Sequence, residues 1–144
     1  MMKLNNSIFR FENPVLTDMY FKVNDDFIKE KMDTDTESAN GSIMVKREDD
    51  ELNEAFVRLT IIIGEKGNSF PFELKLTMGS KFLWPEGIDE ETINTLLTVN
   101  APALLLAYIR PMVSSITDSS EYPTYHIPFI DFASTEMTPT EYND

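Results

Sequence analysis

The sequence predicts an α+β fold, with strands in the first half of the chain followed by C-terminal helices. Three observations carry this expectation. Runs of alternating apolar and polar residues fill the first half of the chain, at 15–23, 57–63 and 72–78, and period two is the signature of a strand with two unlike faces. Past Trp84-Pro85-Glu86-Gly87 the apolar spacing changes to one near 3.6 residues. Strand patterns and helix patterns are thus segregated along the chain rather than alternating.

Each element has its own justification. In the first clear strand, Val15, Thr17, Met19, Phe21 and Val23 alternate with Leu16, Asp18, Tyr20 and Lys22. A short strand at 8–11 precedes it, with Asn13-Pro14 as a bend or edge device. The segment 24–40 is charged and too long for a hairpin, so the strands it joins need not be neighbours. A weaker strand at 43–47 follows the turn Asn40-Gly41. The two strongest strand patterns, 57–63 and 72–78, flank Gly64-Glu65-Lys66-Gly67-Asn68, a hairpin turn. Asp89, followed by Glu90 and Glu91, has the chemistry of a helix start, because its carboxylate accepts free backbone N–H groups at the positive end of the dipole. Asn100 with Pro102 reads as a second helix start, and Pro111 predicts a kink near Ala107. The rows Leu104, Leu105, Tyr108, Met112, Ile116 and Leu106, Ile109, Val113 make this helix apolar on most of its circumference. One sheet covers one side of such a helix, so a second chain is the expected cover for the other.

Composition narrows the function. The chain has 144 residues, with 25 acidic and 12 basic side chains and a formal net charge of -13. That balance argues against nucleic-acid binding, which needs a basic face. The absence of cysteine removes disulfides and thiolate sites, and the single histidine removes multi-histidine metal sites. No signal peptide is readable at the N-terminus, and the most apolar stretch, 99–113, falls short of the roughly 20 residues that span a bilayer. The expectation is a cytoplasmic protein with no membrane insertion. It has one domain over residues 1–132 and an acidic, disordered tail at 133–144.

No catalytic constellation emerges, so the chain reads as a non-enzyme without cofactor or metal. Gly64, Gly67, Gly79 and Gly87 read as isolated turn glycines, and His126 as a structural or surface residue. The pairs Asp25-Asp26 and Asp49-Asp50 lack the spacing of a calcium loop. Ten phenylalanines and eight methionines point instead to binding, since thioethers repack around varied partners.

The run Val99-Asn100-Ala101-Pro102-Ala103-Leu104-Leu105-Leu106-Ala107-Tyr108-Ile109-Arg110 is followed by Ser114-Ser115-Ile116-Thr117, Tyr122-Pro123 and Ile127-Pro128-Phe129-Ile130-Asp131-Phe132. This pattern resembles the SecB export chaperones, which have an asparagine or cysteine before a proline, a leucine-rich turn, Tyr-x-Arg, and a later Leu-x-Pro-x-x-Phe. Residues 72–82 are similar to the family's last strand, which ends in a glycine-containing turn and an aromatic. The resemblance covers roughly residues 7–132. It implies a four-stranded antiparallel sheet packed with C-terminal helices, assembled as a dimer of dimers that binds unfolded or precursor polypeptides and passes them to the SecA motor.

By position, the resemblance makes Phe27, Ile28, Met32, Phe82 and Trp84 candidate client contacts, and Leu105, Tyr108, Ile109 and Met112 candidate oligomer contacts. Asp18 matches an acid that docks SecA on the outer sheet face, with Glu73 nearby. Lys22 and Lys75 stand where two further acids are expected, Ala107 replaces a proline, and Pro111 replaces an acid. The leading expectation is therefore a holdase for non-native polypeptides. The alternative is a SecB-like module dedicated to one partner, as in a toxin–antitoxin pair, without SecA handover.

Overall fold

The computed structural model describes residues 8–25, 27, 41–49, 52–64 and 70–134. The strands are β1 (Arg10–Phe11), β2 (Val15–Val23), β3 (Gly41–Asp49), β4 (Glu54–Ile63) and β5 (Phe72–Leu83). All pairings are antiparallel. Both β1 and β2 lie along the same edge of β5, β1 at Phe82–Leu83 and β2 from Gly79 to Phe72. The sheet is thus four rows wide, β1/β2–β5–β4–β3. The strands on either side of the charged segment, β2 and β3, are not neighbours and sit at opposite edges of the sheet.

Alternation becomes two unlike faces. Along β4, Ala55, Val57, Leu59, Ile61 and Ile63 are buried while the intervening residues are half-exposed. Their partners Leu74, Leu76 and Met78 on β5 share that buried face. The opposite face carries ion pairs: Lys46 with Glu48, Arg58 with Glu48, Lys75 with Asp18 and Lys81 with Glu54, at 3.2–3.5 Å. Exposed pairs of this kind contribute at most about 1 kcal/mol. Burying one Leu or Ile side chain contributes roughly 1.5–3 kcal/mol, so the apolar layer holds the fold.

Two local features depart from the sequence reading. The β2–β5 register shifts between Leu16 and Asp18, so alternation in β2 is interrupted by a bulge. Gly79 is not a turn residue but lies inside β5, where an added Cβ would come within 2.5 Å of the Phe56 ring. The strand runs past it to Leu83.

Helix α1 (Glu90–Thr95) begins as expected at Asp89, whose Oδ2 accepts the Thr92 N–H at 3.2 Å and Oδ1 the Thr92 hydroxyl at 2.7 Å. These bonds, led by the hydroxyl, hold its carboxyl below the ordinary aspartate range. Asn100 is not a second start. It is helical, caps nothing with its side chain, and ends a widened π-helical turn (Leu96–Asn100) that runs directly into α2 (Ala101–Asp118). The Ala101 N–H bonds back to Leu96 O, five residues earlier. Pro102 explains the widening: it has no N–H for the carbonyl four residues back, and its ring needs room there. Helix α2 continues through Pro111, which is exposed.

The helical run Glu90–Asp118 therefore spans 29 residues and is long and apolar enough to cross a membrane by length and composition. Its row of Leu105, Leu106, Ile109 and Val113 is instead packed in the core with β4 and β5, as a core helix would be. Arg47 ties this layer to the sheet edge. Its guanidinium takes both Asp49 oxygens, at 2.7 and 3.2 Å, and donates to Asn94 Oδ1 at 2.9 Å. The expected tail lies outside the described residues from 135 onward.

Candidate functional site

A concave surface forms where the segment after α2 crosses the start of β5. Residues 122–130, which begin at a bend, form neither helix nor a ladder with any described strand. With Phe70, Pro71 and Phe72 they enclose a cavity of about 580 Å³, lined by Tyr122, Pro123, Thr124, Tyr125, His126, Ile127 and Pro128. Its wall is aromatic. Phe70 meets Phe72 edge-on with ring centroids 4.9 Å apart, and Tyr125 meets both, at 6.5 and 6.3 Å. Phe21 of β2 supports Phe72 from behind at 5.6 Å. Such tilted and edge-to-face contacts fix ring orientation as well as burying area.

Phe27 joins this group from the other side. Its ring meets Tyr122 at 5.2 Å and 90°. The chain leading to it is anchored on the pocket floor, where Asn24 donates from its amide nitrogen to Phe70 O at 2.8 Å and from its backbone to Pro71 O at 2.9 Å.

The electrostatics are those of a neutral aromatic pocket with an acidic rim. Desolvation pushes the Tyr125 phenol above its ordinary value. Tyr122 is raised too, by desolvation first, then by its hydrogen bond and charge contact with Glu121 and by the charge of Asp25. Both phenols stay protonated at neutral pH and remain hydrogen-bond donors.

The sequence-derived candidates fall in different places. Of the client candidates, Phe27 is at the pocket, and Ile28 and Met32 lie outside the described residues. Phe82 is 4% exposed and belongs to the core, beside Phe11. It sits about 34 Å along β5 from Phe72, at roughly 3.4 Å per residue. Trp84 is half-buried at that far end, its backbone N–H on Asn53 O. Sequence reasoning missed Phe70, Phe72, Tyr122 and Tyr125 as a group. The available signal was the aromatic and proline density of 122–132.

On the outer sheet face, Asp18 is bound to Lys75 at 3.2 Å, and Glu73 lies directly across from Lys22. Of the two acids the sequence singled out, Asp18 is ion-paired and Glu73 has a lysine as its register partner. Of the oligomer candidates, Leu105 and Ile109 are fully buried in the subunit's own core, while Tyr108 is 42% exposed and Met112 half-buried. A larger apolar surface lies at the β1/β2 edge, where Ile8, Phe11, Val15, Leu16, Met19 and Tyr20 are all exposed.

A sheet with one face covered by a long helix, an apolar edge and an aromatic cavity presents surfaces for holding another molecule. A SecB-like chaperone of Mycobacterium tuberculosis, Rv1957, solved in complex with a ChAD peptide from the Rv1956 HigA1 antitoxin, shares the fold with a TM-score of 0.60. The two are 12% identical, over 85% of this chain and 91% of that one. A protein of unknown function from Streptococcus agalactiae matches with a TM-score of 0.49 at 13% identity, over 84% and 97% of the chains. No curated protein matches by sequence. The model of the family described as preprotein translocase subunit SecB matches residues 9–137, and the chain belongs to the SecB family. This is a family of chaperones and not of enzymes.

Proposed function

We propose that this chain is a holdase whose aromatic pocket takes apolar side chains of extended, non-native polypeptides. The observation that carries this reading is the cavity walled by Phe70, Phe72, Tyr122 and Tyr125. An extended segment can place an apolar side chain between the rings and present its backbone carbonyls to the phenols. Binding the unfolded state slows aggregation by mass action, with no cofactor required. That the M. tuberculosis neighbour was solved with a peptide supports polypeptide binding by this fold. The test is light scattering of an aggregating client. Native protein at stoichiometric ratio is expected to suppress the signal, and the double variant Phe70→Ala, Tyr125→Ala to lose most of that suppression. Full suppression by the variant would sink the assignment of the pocket.

We further propose that the subunit works as an assembly, a dimer of dimers, in the cytoplasm. The apolar β2 edge and the outward row of Tyr108 and Met112 support self-association, because both leave apolar surface open on the single subunit.

For the handover, the family's route delivers clients to SecA. A second reading, a module dedicated to one partner, is favoured by the outer face, where Lys75 engages Asp18 and Lys22 opposes Glu73. A basic partner meets Asp18 already engaged by Lys75 and a lysine opposite Glu73, and like charges oppose its approach. On this reading immobilised SecA captures no native protein, and the variant Lys22→Glu, Lys75→Glu gains capture. Capture of the native chain would favour export handover.

A further inference from the structure

We propose that Arg110 is the positioning residue of the aromatic pocket, holding its outer wall in place from the back. This rests on the reading of the pocket as the client site. The wall is a strap that forms no ladder with any described strand, so its shape depends on what pins it. The pins come from one side of α2. Arg110 donates from Nη1 to Ile127 O and from Nη2 to Pro128 O, the latter at 2.9 Å. Two helical turns further on, the buried Thr117 accepts the Tyr125 N–H on Oγ1 at 2.9 Å, while its hydroxyl donates to Val113 O. Asp118 then takes the Thr124 hydroxyl at 2.8 Å. As the strap number rises from 124 to 128, the α2 number falls from 118 to 110, so the strap runs back along the helix.

The two main pins bracket Tyr125 and Ile127, both wall residues. Arg110 itself does not line the cavity. A planar guanidinium is suited to hold two successive carbonyls at once, which an ammonium cannot do with the same geometry. Fixing such a segment before the client arrives lowers the ordering cost of binding.

The experiment compares the native chain with Arg110→Gln, Arg110→Lys and, as a control for general destabilisation, Val57→Ala, which removes core volume opposite Ser80, eight residues along β5 from Phe72. Two readouts are taken: amide exchange at Tyr125, and affinity for a dansyl-labelled dodecapeptide carrying two phenylalanines. Arg110→Gln is expected to raise Tyr125 exchange with β4 and β5 still protected, and to bind the peptide about tenfold more weakly. Arg110→Lys should fall between, and Val57→Ala should bind as native despite a lower melting temperature. Unchanged exchange in Arg110→Gln would overturn the pinning. Raised exchange with native affinity would overturn the link to the site. A native chain that binds no peptide would instead remove the client reading itself.

Discussion

Replacing Gly64 by alanine is expected to destabilise the protein by on the order of 3 kcal/mol or more, lowering the melting temperature by about 10 °C. Gly64 closes β4 with φ +81°, a left-handed conformation that side chains rarely adopt. An added Cβ would also sit 2.0 Å from Phe72 O and 2.7 Å from the Phe70 ring. The first of these is backbone and cannot swing aside. Gly87 supplies the control, because it has φ +88° and nothing within 4 Å of an added Cβ. Gly87→Ala carries only the conformational cost, roughly 1 kcal/mol. Thermal melts of the two variants thus separate backbone strain from collision, and equal losses would overturn the steric account. Since Phe70 and Phe72 wall the pocket, Gly64→Ala should weaken client suppression along with stability.

The double variant Leu16→Lys, Met19→Lys is expected to sediment as a single subunit of 16.5 kDa, while the native chain sediments as a multiple of it. Both side chains are exposed in the isolated subunit, on the edge strand β2. Lysines on a free edge cost the subunit little, because their ammonium groups stay in water. Burying those charges between two subunits is expensive, so the penalty falls on association alone. A native chain at 16.5 kDa, or a variant that assembles as well as native, would refute self-association through this edge.

How legible these features were in the sequence depended on the distance over which their causes act. The β4 pattern was readable because alternation in the chain maps one-to-one onto burial across the sheet. The bulge after Leu16 was hidden because Val15 and Leu16 are both apolar, so either can face the core and neither register looks wrong. Asn100 before Ala101-Pro102 has the residues of a helix start, but the incoming helix is continuous and the proline is absorbed by a wider turn. Gly79 read as punctuation because its reason lies on a neighbouring strand, in the Phe56 ring. The pocket was illegible for the same reason on a larger scale. Its rings come from 70–72 and 122–125, and only the return of the chain along α2 unites them. The lysines at 22 and 75, by contrast, were visible from position alone, and the register shows what each one faces.

The widened turn at Leu96–Asn100 has a consequence for how the two helical pieces are keyed. Each residue of an α-helix advances the chain by about 100°, so a turn with one residue too many acts as a phase offset between what comes before and after. Here the offset lets Leu96 and Leu97 stay inside the core alongside Ala101 and Pro102. It also leaves Asn94 aimed at Arg47 on the far sheet edge. Loss of any one residue from the turn would close it and rotate Glu90–Thr95 by about 100°, carrying Asn94 off its arginine and Ile93 off the core. The length of this turn, more than the identity of its residues, sets the angular timing by which the first helix meets β3.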